Sequence, residues 1–251
     1  MLNTTDRTMM ANFAKMVKTE NVYPLSIADG TQTGEMYVDD LEKPTAALFW
    51  HYCGFANIAG KPDEAFFNSV LRFMHSPTQE HSGRLALQTE KNALLDEIMR
   101  RDEQVRIGER YVFELSNADI TLPGLHDAEL CMIDEGNYDL ISGRIVPGFS
   151  WKSKEQFLTN GFGVCIMKNG RVLACAFSSA VSEKYVDIGV ETAEEARGRG
   201  FGKAVAIAMV KESLRRGKTP IWDCDVKNEA SKRLALSAGF EISGIHPWYI
   251  I

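Results

Sequence analysis

The chain has little that would tie it to a membrane, a metal or an oxidising compartment. No stretch approaches the roughly 18 apolar residues that a spanning helix needs, so no contact with a membrane is expected. The N-terminus, Met1-Leu2-Asn3-Thr4-Thr5-Asp6-Arg7, carries neither a basic region nor an apolar core of signal-peptide length, and a cytoplasmic location is expected. The five cysteines (Cys53, Cys131, Cys165, Cys175, Cys224) are odd in number and scattered among apolar neighbours, which is the pattern of reduced core thiols and not of a disulfide framework. No cysteine pair has metal-ligand spacing, and the histidines (His51, His75, His81, His126, His246) do not cluster with them, so no metal is expected. A basic excess is missing too. With a net charge of −6 the chain has nothing to spare for phosphate neutralisation, which argues against a nucleic-acid partner and suits an enzyme acting on a small molecule.

What is present is 251 residues of ordinary globular composition, enough for one large domain or two small ones with a substantial core. In the first half, strands are expected at residues 23–28 and 35–38, on either side of a Gly/Thr turn. An apolar run at 46–58 follows. Pro62-Asp63-Glu64 opens a helix carrying Phe66, Val70, Leu71, Phe73 and Met74, since Pro suits the first helical position and acids suit the first turn. A strand at 84–88, a helix through Leu94, Leu95, Ile98 and Met99, and a strand at 111–115 complete it. Phe49-Trp50-His51-Tyr52 reads as core and His51 as structural. Pro, Gly and Asp then concentrate at 116–127, as at a domain edge.

The second half alternates more regularly. Strands are expected at 128–133, 162–167, 172–179, 185–190 and 221–226, with helical segments around 137–141 and 151–158. Asn169-Gly170 between two apolar runs signals a hairpin. A helix with Val205, Met209 and Leu214 toward the core stops at Gly217, after Arg215-Arg216. Another runs over 228–238 and stops at Gly239, and the chain ends in the β-prone Trp248-Tyr249-Ile250-Ile251. This is β–αα–β–β–β–α–β–α–β, and the first half repeats part of it. Two α/β units are therefore expected, 1–120 and 125–251, the first a degenerate copy of the second.

The segment that carries chemistry is Arg197-Gly198-Arg199-Gly200-Phe201-Gly202-Lys203, placed between a strand and a helix. Glycines let the backbone turn tightly and approach a ligand. The first helical N–H groups and the helix dipole favour an anion, and two arginines add charge. A pyrophosphate fits. The loop lacks the Gly-Lys-Ser/Thr end of a P-loop, and the alternating Gly198, Gly200 and Gly202 do not give a dinucleotide fingerprint. Arg197, Gly200 and Gly202 do match R-x-x-G-x-G, the pyrophosphate loop of GNAT acetyltransferases. Further on, Asn228, Ser231, Leu234 and Gly239-Phe240 resemble the second motif of that family, N-x-x-A-x-x-L-Y-x-x-x-G-F, at the same spacing. Pro220-Ile221-Trp222-Asp223-Cys224, with Asn228, Ser231 and Ala235, is similar to the zwittermicin A resistance acetyltransferase-like group. The resemblance covers residues 128–251.

That resemblance implies a mixed α/β fold with a central, splayed sheet flanked by helices, preceded here by an N-terminal α/β half. It implies N-acetyl transfer from acetyl-CoA to a primary amine of a small molecule, an antibiotic or amino metabolite, by direct attack. Val190, Glu191 and Thr192 would meet pantetheine and the acetyl group. Residues 198–203, from Gly198 through Arg199, Gly200, Phe201 and Gly202 to Lys203, would hold the pyrophosphate with Arg197. Asn228 and Ser231 would lie alongside. Glu191 is the first candidate for general base, because it sits on the strand beside the thioester. Asp187 lies on the same strand face, and Asp223 and Asp225 are alternatives. The tyrosine that many relatives use as general acid is replaced by Ala235, which leaves Tyr249 or Ser231 as substitutes and opens a second reading, a weak or inactive acetyl-CoA sensor. Acylation of a peptide N-terminus is a third. Cys224 reads as a core thiol. Glu194 and Glu195, close to a phosphate site, are expected to face solvent. The first half lacks the two loop glycines and is not expected to bind CoA; closing the pocket, homodimerisation and support of the fold are the roles open to it.

Overall fold

In the computed structural model, residues 1–17, 21–75, 85–125 and 127–251 are described, so Arg84, His81 and His126 lie outside. The first half runs β1 (Leu2–Thr4), α1 (Arg7–Ala14), α2 (Val22–Asp29), β2 (Gly34–Val38), β3 (Ala46–His51), β4 (Phe55–Gly60), α3 (Glu64–His75), β5 (Ala86–Gln88), α4 (Ala93–Arg100) and β6 (Arg106–Leu115). The second runs β7 (Glu129–Met132), two short 3-10 turns, α5 (Lys154–Asn160), β8 (Gly163–Lys168), β9 (Arg171–Val181), β10 (Tyr185–Thr192), α6 (Phe201–Arg215), β11 (Thr219–Asp225), α7 (Glu229–Ser237) and β12 (Phe240–Ile250).

Local chemistry accounts for many of these boundaries. Asp6, Asn92, Ser153 and Asn228 each cap a helix by accepting a backbone N–H with the side chain. Asn169 and Gly170, at φ 51° and 74°, make the tight turn between β8 and β9. The apolar run at 46–58 is two antiparallel strands around a turn in which the Gly54 N–H donates to the His51 carbonyl at 2.8 Å. Every residue of β3 is buried, which is why the run reads as continuous.

Two expectations about the helices fail. Residues 23–28 are helical, not extended. Helix α2 is buried on nearly every side, through Val22, Tyr23, Pro24, Ser26 and Ile27, so no polar stripe marks the 3.6 period. Pro24 is tolerated in its first turn, and Gly30 stops it at φ 73°. Leu214 is exposed at 41%, whereas neighbouring Ser213 is fully buried and donates its hydroxyl to the Met209 carbonyl at 2.7 Å. Helix α6 is likewise enclosed from Ala204 to Val210, which blurs its periodicity.

Among the described residues all twelve strands form one sheet, ordered β1-β2-β3-β4-β5-β12-β6-β11-β10-β9-β8-β7. Renumber each first-half strand by its counterpart six later, and the order reads the same from the other end. At the centre the halves interlock. Strand β12 inserts between β5 and β6, and β6 inserts between β12 and β11. The pairing of β12 with β6 runs from Phe240↔Leu115 to Ile250↔Arg106. The sheet therefore crosses the boundary expected at 120–125.

The sheet also bends sharply. Helix α2 packs on β3 and β4 of its own half and on β9 and β10 of the other. On a flat sheet β4 and β10 would stand about 24 Å apart, and a helix is only about 10–12 Å wide. One cluster, Val22, Tyr23, Cys53, Phe55, Ala86, Ala180 and Ile221, consequently draws on both halves.

This interlock is testable. Residues 125–251 produced alone leave β11 and β12 without the strand between them, and we expect most of the native circular-dichroism and amide-proton NMR signature to be lost. Co-expression with residues 1–124 is expected to restore it. A folded, soluble 125–251 fragment would contradict the account.

Candidate active site

Strands β10 and β11 start as a parallel pair and then part. Their register covers only Tyr185↔Thr219, Val186↔Pro220 and Asp187↔Ile221. Beyond this, β10 continues to Thr192 on β9 alone, while Trp222 to Asp225 of β11 pair with β6. A register shift at Asp187/Ile188, where Ser179 is the extra residue of β9, falls where the strands diverge; bulges increase local twist. The result is a gap with Val190, Glu191 and Thr192 of β10 along one side and Trp222 to Asp225 of β11 along the other.

At the end of β10 the chain makes a 3-10 turn over Glu194–Ala196, then the glycine loop, then α6. Gly198 and Gly200 sit at φ 75° and 82°, the left-handed region that only glycine adopts freely. Nothing lies within 4 Å of where a side chain would begin at either. Gly200 is the N-cap of α6, and no side chain caps the helix there, so its first N–H groups are left to a ligand. At Gly202 the constraint is space: a Cβ would stand 2.9 Å from Thr192 Oγ1. Arg197 and Arg199 are exposed beside the loop, and the Arg199 guanidinium lies 4.8 Å from the buried Phe201 ring, which leaves Phe201 only its backbone to offer. Glu194 and Glu195 are exposed, and Glu195 is paired with Arg171 at 2.8 Å. This loop suits a pyrophosphate: open backbone donors at a fifteen-residue helix, flanking cations, and no acid turned inward.

Glu191 does not stand free in the gap. Its Oε2 accepts from the backbone N–H groups of Arg144 and Ile145, at 3.0 and 2.8 Å, and so holds the loop before α5. Gly143, at φ 133°, lets that loop approach, since a Cβ there would stand 2.6 Å from Glu191 Cγ. The loop, Glu191 and Arg197 border a cleft of about 460 Å³. Ser231 accepts from the Trp222 indole at 3.1 Å, and Asn228 spends its side-chain oxygen on the Ser231 N–H at 3.1 Å.

At the closed end of the gap lies a buried polar cluster. Asp187, 8% exposed, accepts from the Tyr23 hydroxyl at 3.0 Å, and Tyr23 also bonds Ser179 Oγ at 2.9 Å. Asp223 is held by Arg110 in a two-pronged ion pair, with Nε at 3.1 Å, and the guanidinium sits 5.5 Å from the Phe55 ring and 5.7 Å from Trp248. Burial, reinforced by the negative charge of Asp223, pushes the Asp187 carboxyl up to about 8, while the Tyr23 hydroxyl and Arg110 restrain the rise. Burial and the charge of Asp187 raise Tyr23 in turn.

Tyr249 is not brought to the gap. Strand β12 carries it into the first-half core with Leu87, Ile98 and Met99, where it is fully buried, 3.5 Å from Asp96, and pushed up to about 12 by burial and that carboxylate. Ala235 is fully buried as well, so the position usual for the acid faces the core. Cys224 is a buried free thiol raised by burial. His51 is buried against Tyr23 and Cys53. Sequence reasoning missed Tyr23, Ser179, Arg110 and the Gly143 loop. Of these only Ser142-Gly143, a turn dipeptide, left a local signal.

A splayed strand pair ending in an uncapped, glycine-built loop open to an anion suits an acyltransferase. The sequence profile of the GNAT acetyltransferase family matches residues 13–249, and the chain belongs to that family. It is similar to the uncharacterized N-acetyltransferase YdfB of Bacillus subtilis (strain 168), at 26% identity over 224 residues, covering 86% of this chain and 85% of that one. Its structure is similar to a GCN5-related N-acetyltransferase-like protein from Streptococcus suis 89/1591, with a TM-score of 0.71, 25% identity, and 96% and 98% of the two chains covered. A tandem GNAT protein from the clavulanic acid biosynthesis pathway shares the fold at a TM-score of 0.63, 11% identity, and 100% and 97% coverage. Among the described residues no helix is long and apolar enough to cross a membrane, and no cluster of three His, Cys, Asp or Glu side chains could hold a metal.

Asp187 makes stability depend on pH. Its folded-state pKa lies above the unfolded value, so its cost is absent below about pH 4 and grows as pH rises toward 8. Relative to the native protein, Asp187→Asn is expected to gain about 4 kcal/mol between pH 5 and pH 8.5 in urea unfolding. Parallel pH dependences in the two proteins would contradict the buried-carboxyl reading.

Proposed function

We propose that this protein transfers the acetyl group of acetyl-CoA to the primary amine of a small molecule by direct attack. The observation that carries the reading is the joining of the β10–β11 gap to the open glycine loop at the start of α6. Family enzymes use acetyl-CoA, and the loop residues suit its pyrophosphate: Gly198 and Gly200 leave open space, and Arg197, Arg199 and Lys203 supply charge. The cosubstrate supplies a thioester whose C–S bond breaks as the amine nitrogen bonds to the carbonyl carbon. The backbone of Val190, Glu191 and Thr192, unpaired on the β11 side, orients the pantetheine arm and offers an N–H to the carbonyl oxygen. Asp187 receives the amine proton through a water, since a carboxyl raised toward neutrality is suited to that exchange. Glu191, committed to the backbone N–H groups of Arg144, Ile145 and Thr192, shapes the acceptor loop.

The first half does not take a second CoA in this reading. Asp63 caps α3 by accepting the Phe66 N–H at 2.8 Å, which puts a carboxylate where a phosphate would go. Gly60 is hemmed in by the Thr45 carbonyl, 2.3 Å from a would-be Cβ. The likeness to zwittermicin resistance proteins makes amino-bearing antibiotics the first acceptors to screen. The buried Ala235 favours one rival, a sensor that binds acetyl-CoA and turns it over weakly or not at all.

Titration calorimetry decides the first step. One acetyl-CoA per chain is expected, with Gly200→Glu weakening it about a hundredfold or more by like-charge repulsion. Gly200→Asn, which tolerates the left-handed backbone, is expected to keep most of the affinity. A native protein that does not bind would sink the proposal, and two sites per chain would sink the assignment of the first half.

A further inference from the structure

We propose that Tyr23, which comes from the N-terminal half, is a positioning residue of the catalytic centre: its hydroxyl fixes Asp187 and keeps it able to accept a proton. The inference rests on the acetyl-transfer reading and adds to it a contribution from the half that binds no CoA.

The geometry is specific. Tyr23 lies in the first turn of α2, fully enclosed, with its ring edge-on to His51 and Phe55, each at 4.9 Å between centroids. Its hydroxyl reaches Asp187 Oδ2 and Ser179 Oγ at once. Ser179 is the extra residue of the β9 bulge, so the irregularity at the head of the gap also presents the second partner to the tyrosine. Docking of α2 does not require this hydroxyl. Gln32 bonds the Ser179 carbonyl and the Val181 N–H, Thr31 bonds the Val181 carbonyl at 2.6 Å, and Asp29 accepts from the Glu183 N–H at 2.7 Å. What the hydroxyl adds is a charge-assisted bond to the carboxylate at the closed end of the gap.

That bond acts on the proton. In a buried site a donor to the ionised form favours ionisation, so Tyr23 opposes the effect of burial on Asp187. The groups facing Asp187 are Tyr23 on α2, Ser179 on β9, Asp223 on β11 and Arg110 on β6. Cys53 and His51 stand behind the tyrosine. Among these side chains Tyr23 is the one that donates to the carboxylate oxygen, beside the Ile188 backbone N–H. Remove it, and Asp187 should hold its proton to higher pH and lose its fixed orientation.

The test uses full-length protein labelled with 13C at the aspartate carboxyl carbon, titrated by NMR, with the Asp187 signal assigned by its loss in Asp187→Asn. In Tyr23→Phe the midpoint is expected to rise by about one pH unit, a roughly tenfold gain in proton affinity. Ser179→Ala is expected to raise it less. Acetyl-CoA affinity should stay within about twofold of native in both variants, because neither touches the glycine loop. Once an acceptor amine is in hand, the acidic limb of kcat/KM should move by the same interval in Tyr23→Phe, with KM for acetyl-CoA unchanged. An unmoved midpoint in folded Tyr23→Phe overturns the proposal. If that variant does not fold, an unmoved midpoint in Ser179→Ala does so. A native protein that fails to bind acetyl-CoA overturns the reading beneath it, and with it the catalytic assignment, even where the midpoint moves.

Discussion

The pairing of β6 with β12 is the constraint on which the rest of this structure depends. Each strand leaves its own half and completes the other, and their contact spans the full length of both. The fit is close. A Cβ at Gly108 would stand 2.0 Å from the Trp248 indole nitrogen, so the indole of β12 occupies space that only glycine on β6 leaves. Because β6 lies against β11, Arg110 meets Asp223; because β12 lies against the other edge of β6, Trp248 flanks the same guanidinium. Neither half could assemble the centre of the sheet from its own strands.

The bend of the sheet gives α2 its place against strands of both halves. A helix of the first half fills the concave face, with Tyr23 pointing at β9 and β10. The cluster it meets is costly. Two carboxylates and one guanidinium are largely withdrawn from water, and an ion pair in such a place does little more than offset its own desolvation. Packed hydrophobic residues would stabilise the interior better. The placement of Asp187 beside Asp223, at the head of the gap, fits the proton-accepting role proposed for it better than it fits packing alone.

Much of the candidate site was legible because its chemistry is local. Glycines at 198, 200 and 202 are demanded by backbone angles and by the nearness of Thr192, all within one loop. Asn228 caps the helix it precedes, and Asn169-Gly170 turns the hairpin it sits in. The reading failed where burial removed the pattern it relied on. Helix α2 has no polar face, so its period vanished, and α6 is enclosed so fully that Ser213 is buried where Leu214 was expected to be. Tyr249 was set beside the gap because nothing at the chain end says which half receives the last strand.

The sequence by itself determined the family, the order of strands and helices in the second half, and the glycine-built loop at the start of α6. Each of these is written in the conformational limits of a few neighbouring residues. Only the tertiary structure decided that the halves exchange strands, that Glu191 anchors a loop, and that Tyr23 reaches Asp187 across 164 positions of chain. Those outcomes depend on which buried polar groups find partners once the sheet has closed, and no local pattern records that choice.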